Sequence, residues 1–112
     1  MDKFNESHKV VLDKLLLDLP GVRAGKMFGY PAYYAAKKLS ICLYENGVGL
    51  KVPEGTANRL LESDPNVIAF QPLGRRRMRE WIQVNLENSE DYRDYVKLFE
   101  ESIQYVLSLQ EY

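Results

Sequence analysis

The chain is poor in the residues that build disulfide frameworks, zinc sites and membrane spans. It has one cysteine and one histidine among 112 residues, so neither a disulfide network nor a structural zinc site with four Cys and His ligands can form within it. Its longest apolar run is far shorter than the roughly 18 residues needed to span a bilayer, and residues 1–9 lack the hydrophobic segment of a signal peptide. These absences predict a cytoplasmic protein with no metal site and no membrane partner.

An excess of either charge sign is also absent. Lys and Arg number 15, Asp and Glu number 16, and the net charge is -1, which disfavours a globally basic nucleic-acid binder. The distribution is uneven, however, because residues 20–85 carry a net charge of +5 and residues 86–112 a net charge of -5. This asymmetry predicts either two faces of opposite sign or ion pairing between the two segments within one domain.

What is present is the composition of an ordinary globular domain. Hydrophobic residues make up 46% of the chain and charged residues 28%, values that are typical of chains with a packed core. A chain of 112 residues has the size of one domain, so we expect residues 1–112 to form a single domain.

Three segments have the apolar spacing of helices. The first covers residues 4–19 and ends at a Pro-Gly pair. A short helix is expected over residues 53–63, and the third over residues 88–107, where Asn88 or Ser89 can cap its first turn. The third has the broadest apolar stripe, so we expect it to cover much of one sheet face.

Five segments have the composition or alternation of β-strands. They are residues 26–34, 39–44, 48–52, 67–70 and 78–86. Asn46-Gly47 lies between the second and third segments and accepts the positive φ angles of a type I′ turn, which predicts a hairpin. The element order is α-β-β-β-α-β-β-α. Because short links favour antiparallel pairing, we predict an α+β domain with a five-stranded antiparallel sheet flanked by helices.

Two stretches of the sequence resemble the TfoX/Sxy N-terminal domain family. They are residues 22–29, which contain Met27-Phe28-Gly29, and Leu50-Lys51 after the predicted hairpin. Residues 60–84 are also similar to the related YjbR-like proteins, and the similarity extends over about residues 20–107. It implies a stand-alone domain with a curved, secretion-chaperone-like sheet and a role in regulating natural competence, where the full-length regulators help activate transcription. It implies no set of catalytic residues.

The sharpest local feature is a cluster of four arginines. Its members are Arg75, Arg76, Arg77 and Arg79. Guanidinium groups match phosphate oxygens in a bidentate way. Trp81 shares a predicted strand face with Arg79 and could stack on an exposed base, and Lys37 and Lys38 could extend the patch. The pattern predicts a weak nucleic-acid interface. The alternative is that the arginines pair with the acids of residues 86–112 and that Trp81 packs beneath a helix.

The single reactive side chains have no evident partners in the sequence. His8 lies on the apolar side of the first predicted helix without an evident nucleophile partner. Cys42 alternates within a predicted strand and is expected to be an inert packing residue. The acids of residues 86–112 lack the spacing of a calcium loop. With no catalytic constellation and no cofactor motif, we predict neither an enzyme nor a cofactor.

Eight tyrosines are a high number for a chain of this size. Tyrosine combines apolar area with a hydroxyl and suits half-buried positions and interfaces. If the strand over residues 26–34 is an exposed edge, it could form a homodimer contact. The leading hypothesis is therefore a non-enzymatic regulatory module that binds protein partners. A nucleic-acid-binding domain is the second hypothesis, and an enzyme with a small-molecule pocket is the third.

Overall fold

A computed structural model describes residues 4–110, which form three α-helices and six β-strands. In chain order these are α1 (Glu6–Leu16), β1 (Val22–Met27), β2 (Tyr30–Ala35), β3 (Lys38–Tyr44), β4 (Gly47–Lys51), α2 (Glu54–Ser63), β5 (Val67–Ala69), β6 (Trp81–Val84) and α3 (Val96–Ser108). Two 3₁₀ segments, Pro72–Gly74 and Ser89–Tyr95, precede β6 and α3. The α+β prediction is confirmed.

The six strands form one antiparallel sheet in the order β1-β2-β3-β4-β6-β5. The last two strands exchange places relative to the chain, because β6 pairs with β4 and β5 takes the outer position. The edges of the sheet are therefore β1 and the three-residue strand β5. Between them, β2, β3, β4 and β6 are paired on both sides.

The sheet has six strands where the sequence predicted five. The segment over residues 26–34, expected to be one strand, is a hairpin in which Met27 pairs with Tyr30. Phe28 and Gly29 form the two-residue turn with φ angles of 50° and 85°. Two consecutive positive φ angles match the right-handed twist of the flanking strands. The aromatic run that favoured a continuous strand is therefore divided between β1 and β2.

The β3–β4 hairpin forms where it was predicted, but its turn residues differ. Tyr44 pairs with Gly47, so the loop consists of Glu45 and Asn46, and the positive φ angle (52°) falls on Glu45. Gly47 is required for space instead, since a Cβ at this position would lie 1.9 Å from the Oδ1 atom of Asn85. The interpretation of Asn46-Gly47 as a type I′ turn was wrong, because the register places Gly47 in the strand.

Polar caps begin α1 and the 3₁₀ segment before α3, whereas α2 and α3 have no side-chain cap. The side chain of Asn5 accepts hydrogen bonds from the amides of Ser7 and His8 at the start of α1. Asn88 accepts from the amide of Glu90, but the segment that it caps is the 3₁₀ helix Ser89–Tyr95, and α3 begins only at Val96. Each cap satisfies donors that the first helical turn leaves without partners.

The main core lies between the sheet and the helices, chiefly α1 and α3, and Ala57 of α2 is also buried in it. Its largest fully buried aliphatic side chains come from both layers: Leu12 and Leu16 of α1, and Ile41, Leu43, Leu50 and Ile82 of the strands. Burying a side chain of this size contributes roughly 1.5–3 kcal/mol. Ser40 of β3 and Ser102 of α3 share a buried hydrogen bond of 2.8 Å across the layers, which satisfies both hydroxyls without water.

The opposite face of the sheet carries a second, smaller cluster built from Ala32, Cys42 and Phe70. Phe70 follows β5 and lies directly over Gly49 of β4, where a Cβ would come within 2.8 Å of its ring. The residues packed around the cluster come from the strands and from residues 70–80, which connect β5 with β6. We call residues 70–80 the arginine loop and this side of the sheet the open face.

Within residues 4–110, no helix is long and apolar enough to cross a membrane.

Candidate interaction site

The arginine loop is anchored to the open face at its first residues. The ring of Phe70 packs against Trp81 at a centroid distance of 5.4 Å and meets Tyr44 edge-on at 5.7 Å. The hydroxyl of Tyr44 accepts a hydrogen bond of 2.9 Å from the amide of Leu73, and Pro72 is buried. The first residues of the loop are thus held over the face by aromatic packing and by the hydrogen bond from the Leu73 amide to the Tyr44 hydroxyl.

Two large apolar side chains, one in the β1–β2 turn and one in the arginine loop, are exposed on the open face and line the same pocket. Phe28, in the β1–β2 turn, is 65% exposed, and Leu73, in the arginine loop, is 56% exposed. Both have left-handed backbones, with φ angles of 50° and 57°, a conformation that costs a non-glycine residue about 1–2 kcal/mol. The hairpin turn accounts for the positive φ angle of Phe28, but burial accounts for neither of the two exposed side chains. Strained positions with exposed apolar groups are concentrated at binding sites.

A pocket of about 150 Å³ lies between the turn and the loop. Its lining consists of Met27, Phe28, Leu39, Phe70, Pro72, Leu73, Arg75, Met78 and Trp81. All of these residues except Arg75 are apolar. A cavity of this volume accommodates about one benzene ring, so the pocket has the size of a single apolar side chain.

Arg75 stands at the rim of this pocket. Its guanidinium carbon lies 5.9 Å from the centroid of the Phe28 ring, within the range of a cation–π interaction. The side chain is exposed, so its planar donors point into solvent beside an apolar opening. This combination places a positive group where the polar flank of an inserted ligand would lie.

Within residues 4–110, the four arginines form no ion pair with the acids of the last segment. Within residues 4–110, the ion pairs closer than 4.0 Å are Lys9–Asp13, Lys51–Glu80 and Arg93–Glu90, and none includes Arg75, Arg76, Arg77 or Arg79. Arg77 instead donates to the side-chain oxygen of Asn58 at 3.1 Å. For the described part of the chain, the interpretation that these arginines pair internally was wrong. Their positive charge remains exposed.

Trp81 and Arg79 differ from their predicted placement. Trp81 is the first residue of β6 and packs on Phe70 of the open face, not beneath a helix. Arg79 lies in the turn before β6, so it does not share a strand face with Trp81. The strand expected from residue 78 begins three residues later, because the amide of Trp81 closes a turn onto the carbonyl of Met78.

The structure brings one of the two predicted lysines to Trp81. Lys38 and Lys51 line a second concavity with Trp81, of about 330 Å³, near the end of α3. Lys37 lies in the exposed β2–β3 turn, where its backbone amide donates to the side chain of Gln110. The Nζ atom of Lys51 lies 3.6 Å from the Oε1 atom of Glu80. The other carboxylate oxygen of Glu80 accepts a hydrogen bond from the hydroxyl of Tyr105. This hydrogen bond raises the pKa of Tyr105 to about 12.

The residues of the family-like motifs have different structural roles. Met27 and Phe28 line the pocket, and Gly29 completes the turn that presents Phe28. Leu50 is fully buried in the main core, and Lys51 belongs to the ion pair with Glu80. The first motif therefore contributes to the candidate site, and the second supports the fold.

A groove of opposite character lies at the other end of β4 and β6. It is about 800 Å³ in volume and is lined mainly by amide and acidic side chains, which are Asn46, Asn66, Gln83, Asn85, Asn88, Glu45, Glu87 and Asp91. The acids of this groove and the arginines of the loop are thus placed in separate regions. Of the two interpretations of the charge asymmetry, separation into surfaces of opposite sign agrees with this arrangement.

His8 has a partner that the sequence did not reveal. Its Nδ1 atom lies 2.6 Å from the Ser89 hydroxyl and its Nε2 atom 3.3 Å from the Asn46 carbonyl. When Nε2 carries the proton and donates to Asn46, Nδ1 accepts from Ser89. The ring is fully buried, and burial lowers its pKa below 6.5. His8 therefore joins α1 to the β3–β4 turn and to the segment before α3.

Cys42 is buried among the residues of the smaller cluster. Burial raises the pKa of its thiol to about 12, so the side chain stays protonated at neutral pH. A protonated thiol without solvent access is a poor nucleophile. Its position agrees with the predicted packing role.

The strand over residues 26–34, considered for a homodimer contact, lies mostly inside the sheet and not at its edge. The exposed edge is β1, whereas the tyrosines at positions 30, 33 and 34 belong to β2, which is paired on both sides. The edge carries exposed Arg23 and Lys26, and Arg23 lies over the ring of Tyr34 at 5.7 Å. Positive side chains on an edge oppose its pairing with an identical edge. Residues 30–34 are therefore not the exposed edge on which the homodimer hypothesis depended, and only Lys26 and Met27 of the predicted strand belong to that edge.

Comparisons of the chain with protein-family models, with curated proteins and with solved structures found no match.

Proposed function

We propose that this chain is a TfoX/Sxy N-terminal-like regulatory module that acts in the cytoplasm by binding another protein, without catalysing a reaction. The contact surface is the pocket between the β1–β2 turn and the arginine loop. The observation that carries the proposal is the pair of exposed, left-handed residues Phe28 and Leu73 beside a pocket of about 150 Å³. Aromatic residues, methionine and arginine are the types enriched at protein interfaces.

The lining of the pocket favours binding over chemistry. Catalytic sites bring together acids, bases or nucleophiles around a reacting atom, whereas Arg75 is the one charged residue along this pocket. An arginine stays protonated and does not exchange protons at neutral pH. Apolar pockets with one polar rim group instead anchor a side chain of a partner.

The proposal is tested by selecting a displayed library of random peptides on the full chain. We expect selected peptides to bind with a stoichiometry of one, and the double variant Phe28→Asn, Leu73→Asn to weaken binding by about tenfold or more, which corresponds to about 1.4 kcal/mol. Asparagine tolerates the left-handed backbone, so the variant removes apolar area while retaining the turn geometry.

The matched control is Leu17→Asn, which removes an exposed apolar side chain (39% exposed) at the end of α1. This variant should bind the selected peptides like the wild type. Peptides that bind the double variant as well as the wild type would place the contact elsewhere. Failure to select any peptide on the wild type would contradict the proposed function itself.

A second candidate function, nucleic-acid binding, is favoured by the exposed arginines. Their lack of carboxylate partners within residues 4–110 leaves Arg75, Arg76, Arg77 and Arg79 able to contact phosphates. Contacts to about four phosphates would give a slope of log affinity against log salt of about -3 to -4. Fluorescence anisotropy with short duplex and single-stranded DNA at low salt measures this slope. If the triple variant Arg75→Ala, Arg76→Ala, Arg77→Ala leaves affinity and slope unchanged, this function is excluded.

A further inference from the structure

The shape and lining of the pocket restrict what can enter it. Its volume of about 150 Å³ fits one phenyl or branched aliphatic group. A nucleobase has a similar size, but its polar edge would lose water inside the pocket, where the side-chain polar groups of the lining are the Arg75 guanidinium and the Trp81 indole N–H, which are donors and offer no acceptor. Burying polar groups without hydrogen-bond partners costs several kcal/mol in apolar surroundings. A hydrocarbon side chain therefore fits this pocket better than a base.

The charge around the opening restricts what can flank that side chain. Arg75 is at the rim over Phe28, and Arg76 and Arg77 follow it as exposed residues. Ion pairs within residues 4–110 do not involve any of the three. Guanidinium groups that face solvent bind carboxylates through paired hydrogen bonds. The complementary flank is acidic.

We propose that the pocket binds an acidic linear segment of a partner protein, which inserts one phenylalanine- or leucine-sized side chain and pairs its flanking carboxylates with Arg75, Arg76 and Arg77. This inference rests on the proposed function and specifies the class of partner. An extended peptide advances about 3.3 Å per residue. The carboxylates therefore lie within a few positions of the anchoring residue.

The first experiment measures binding of short fluorescein-labelled peptides to the full chain by anisotropy. The parent peptide has a central phenylalanine with two glutamates on each side. Two control peptides differ from the parent. In the serine peptide a serine replaces the phenylalanine, and in the glutamine peptide glutamines replace the four glutamates. We expect the serine peptide to bind about tenfold or more weakly than the parent, because the pocket stays empty. The glutamine peptide should bind more weakly than the parent and lose its salt dependence.

The second experiment reverses the charge of the loop. The variant Arg76→Glu, Arg77→Glu should lose affinity for the glutamate-flanked peptide and gain affinity for an otherwise identical lysine-flanked peptide, because opposite charges attract and like charges repel. The control variant Lys14→Glu, Lys97→Glu carries the same charge change on exposed positions of α1 and α3 and should keep the wild-type preference. An exchange of preference cannot be explained by misfolding, since a misfolded variant would bind neither peptide.

The outcomes separate this inference from the proposed function. If peptides selected on the wild type require Phe28 and Leu73 but show no preference for acidic residues, the acidic partner is excluded and the protein-binding function remains. If the serine peptide binds as well as the parent, the pocket is not the anchor site and the inference is overturned. Tighter binding of a thymidine oligonucleotide than of the parent peptide, lost in the triple arginine variant, would also overturn it.

Discussion

At the scale of single residues, the described chain satisfies its buried polar groups through partners that are both near and distant in sequence. Tyr92 is fully buried, and its hydroxyl donates to the carbonyl of Val84 and accepts from the amide of Leu86. His8 and Ser89, which are 81 positions apart, pair in the same region. Buried polar groups without partners would each cost about 1–3 kcal/mol, so these pairs fix how α1 and the segment before α3 meet.

The lowered pKa of His8 predicts a specific dependence of stability on pH. Above about pH 6.5 the residue is neutral in both the folded and unfolded states. As the pH falls below this value, the unfolded state binds a proton that the folded state does not, so the free energy of unfolding decreases until the folded-state pKa is reached. Urea unfolding at about pH 7.5, 6.5 and 5.5 should show this loss in the wild type. The variant His8→Asn should show a smaller loss over the same interval, and an equal loss in both proteins would contradict the assignment.

Phe28 and Leu73 contrast with these buried polar residues, because they are apolar side chains that remain exposed. Both combine an unfavourable backbone with an exposed apolar side chain, and neither feature stabilises the fold. Sequence alone could not reveal this, because a phenylalanine before glycine is compatible with a strand as well as with a turn. Likewise, the exposure of the arginines depends on which acids lie nearby, and only the tertiary structure determines that.

At the scale of elements, the sequence predicted those helices and strands that are specified by neighbouring residues, and it did not predict those that depend on long-range pairing. Helix positions followed from apolar spacing, which needs only a few neighbouring residues, whereas the cap predicted at Asn88 begins a 3₁₀ segment and α3 starts only at Val96. The division of residues 26–34 into β1 and β2 was missed, since the aromatic run continues across the turn and outweighed the local signals against one continuous strand, Gly29 and Pro31. The exchange of β5 and β6 in the sheet order arises from long-range pairing, for which the chain carries no local signal.

The packing of Phe70 on Gly49 predicts how the arginine loop is held. Gly49→Ala would place a Cβ within 2.8 Å of the Phe70 ring, and such overpacking costs roughly 1–3 kcal/mol. We therefore expect a lower midpoint of urea unfolding and, because the loop is displaced, weaker binding of the peptides selected on the wild type.

The control for this substitution is Gly55→Ala. A Cβ at Gly55 in α2 would have no atom within 4 Å, and alanine favours the helix over glycine by up to about 1 kcal/mol. This variant should unfold at an equal or higher urea concentration than the wild type. If Gly49→Ala were as stable as Gly55→Ala, Phe70 would not be held against the sheet as described.

At the scale of the whole molecule, the two faces of the sheet are covered in different ways. One face is closed by α1 and α3 over the main core, and the smaller cluster of the open face is covered by the arginine loop. The fold class could be predicted from the order of elements, because amphipathic helices must cover an apolar sheet face. The site could be predicted only as a cluster of arginines, since its apolar half comes from three separate stretches of chain.

The charged edge of β1 predicts that the isolated chain is a monomer. Pairing two β1 edges would bring the exposed Arg23 and Lys26 of both copies together, and like charges on facing strands are destabilising. Light scattering at physiological salt should give a mass near the 13.0 kDa of one chain. The variant Arg23→Thr, Lys26→Thr should associate more readily than the wild type. A wild-type mass of twice this value would show that another surface mediates dimerisation.

The shallow attachment of the arginine loop has a consequence for how this protein can diversify. Residues 73–77 bury none of their side chains in the core, and the loop is fixed mainly through Phe70 and Pro72 at its start. New sequences could therefore be grafted between these anchors and Met78 while the helices and the inner strands remain unaltered. Such a domain would serve as a scaffold whose specificity is rewritten by exchanging five consecutive positions.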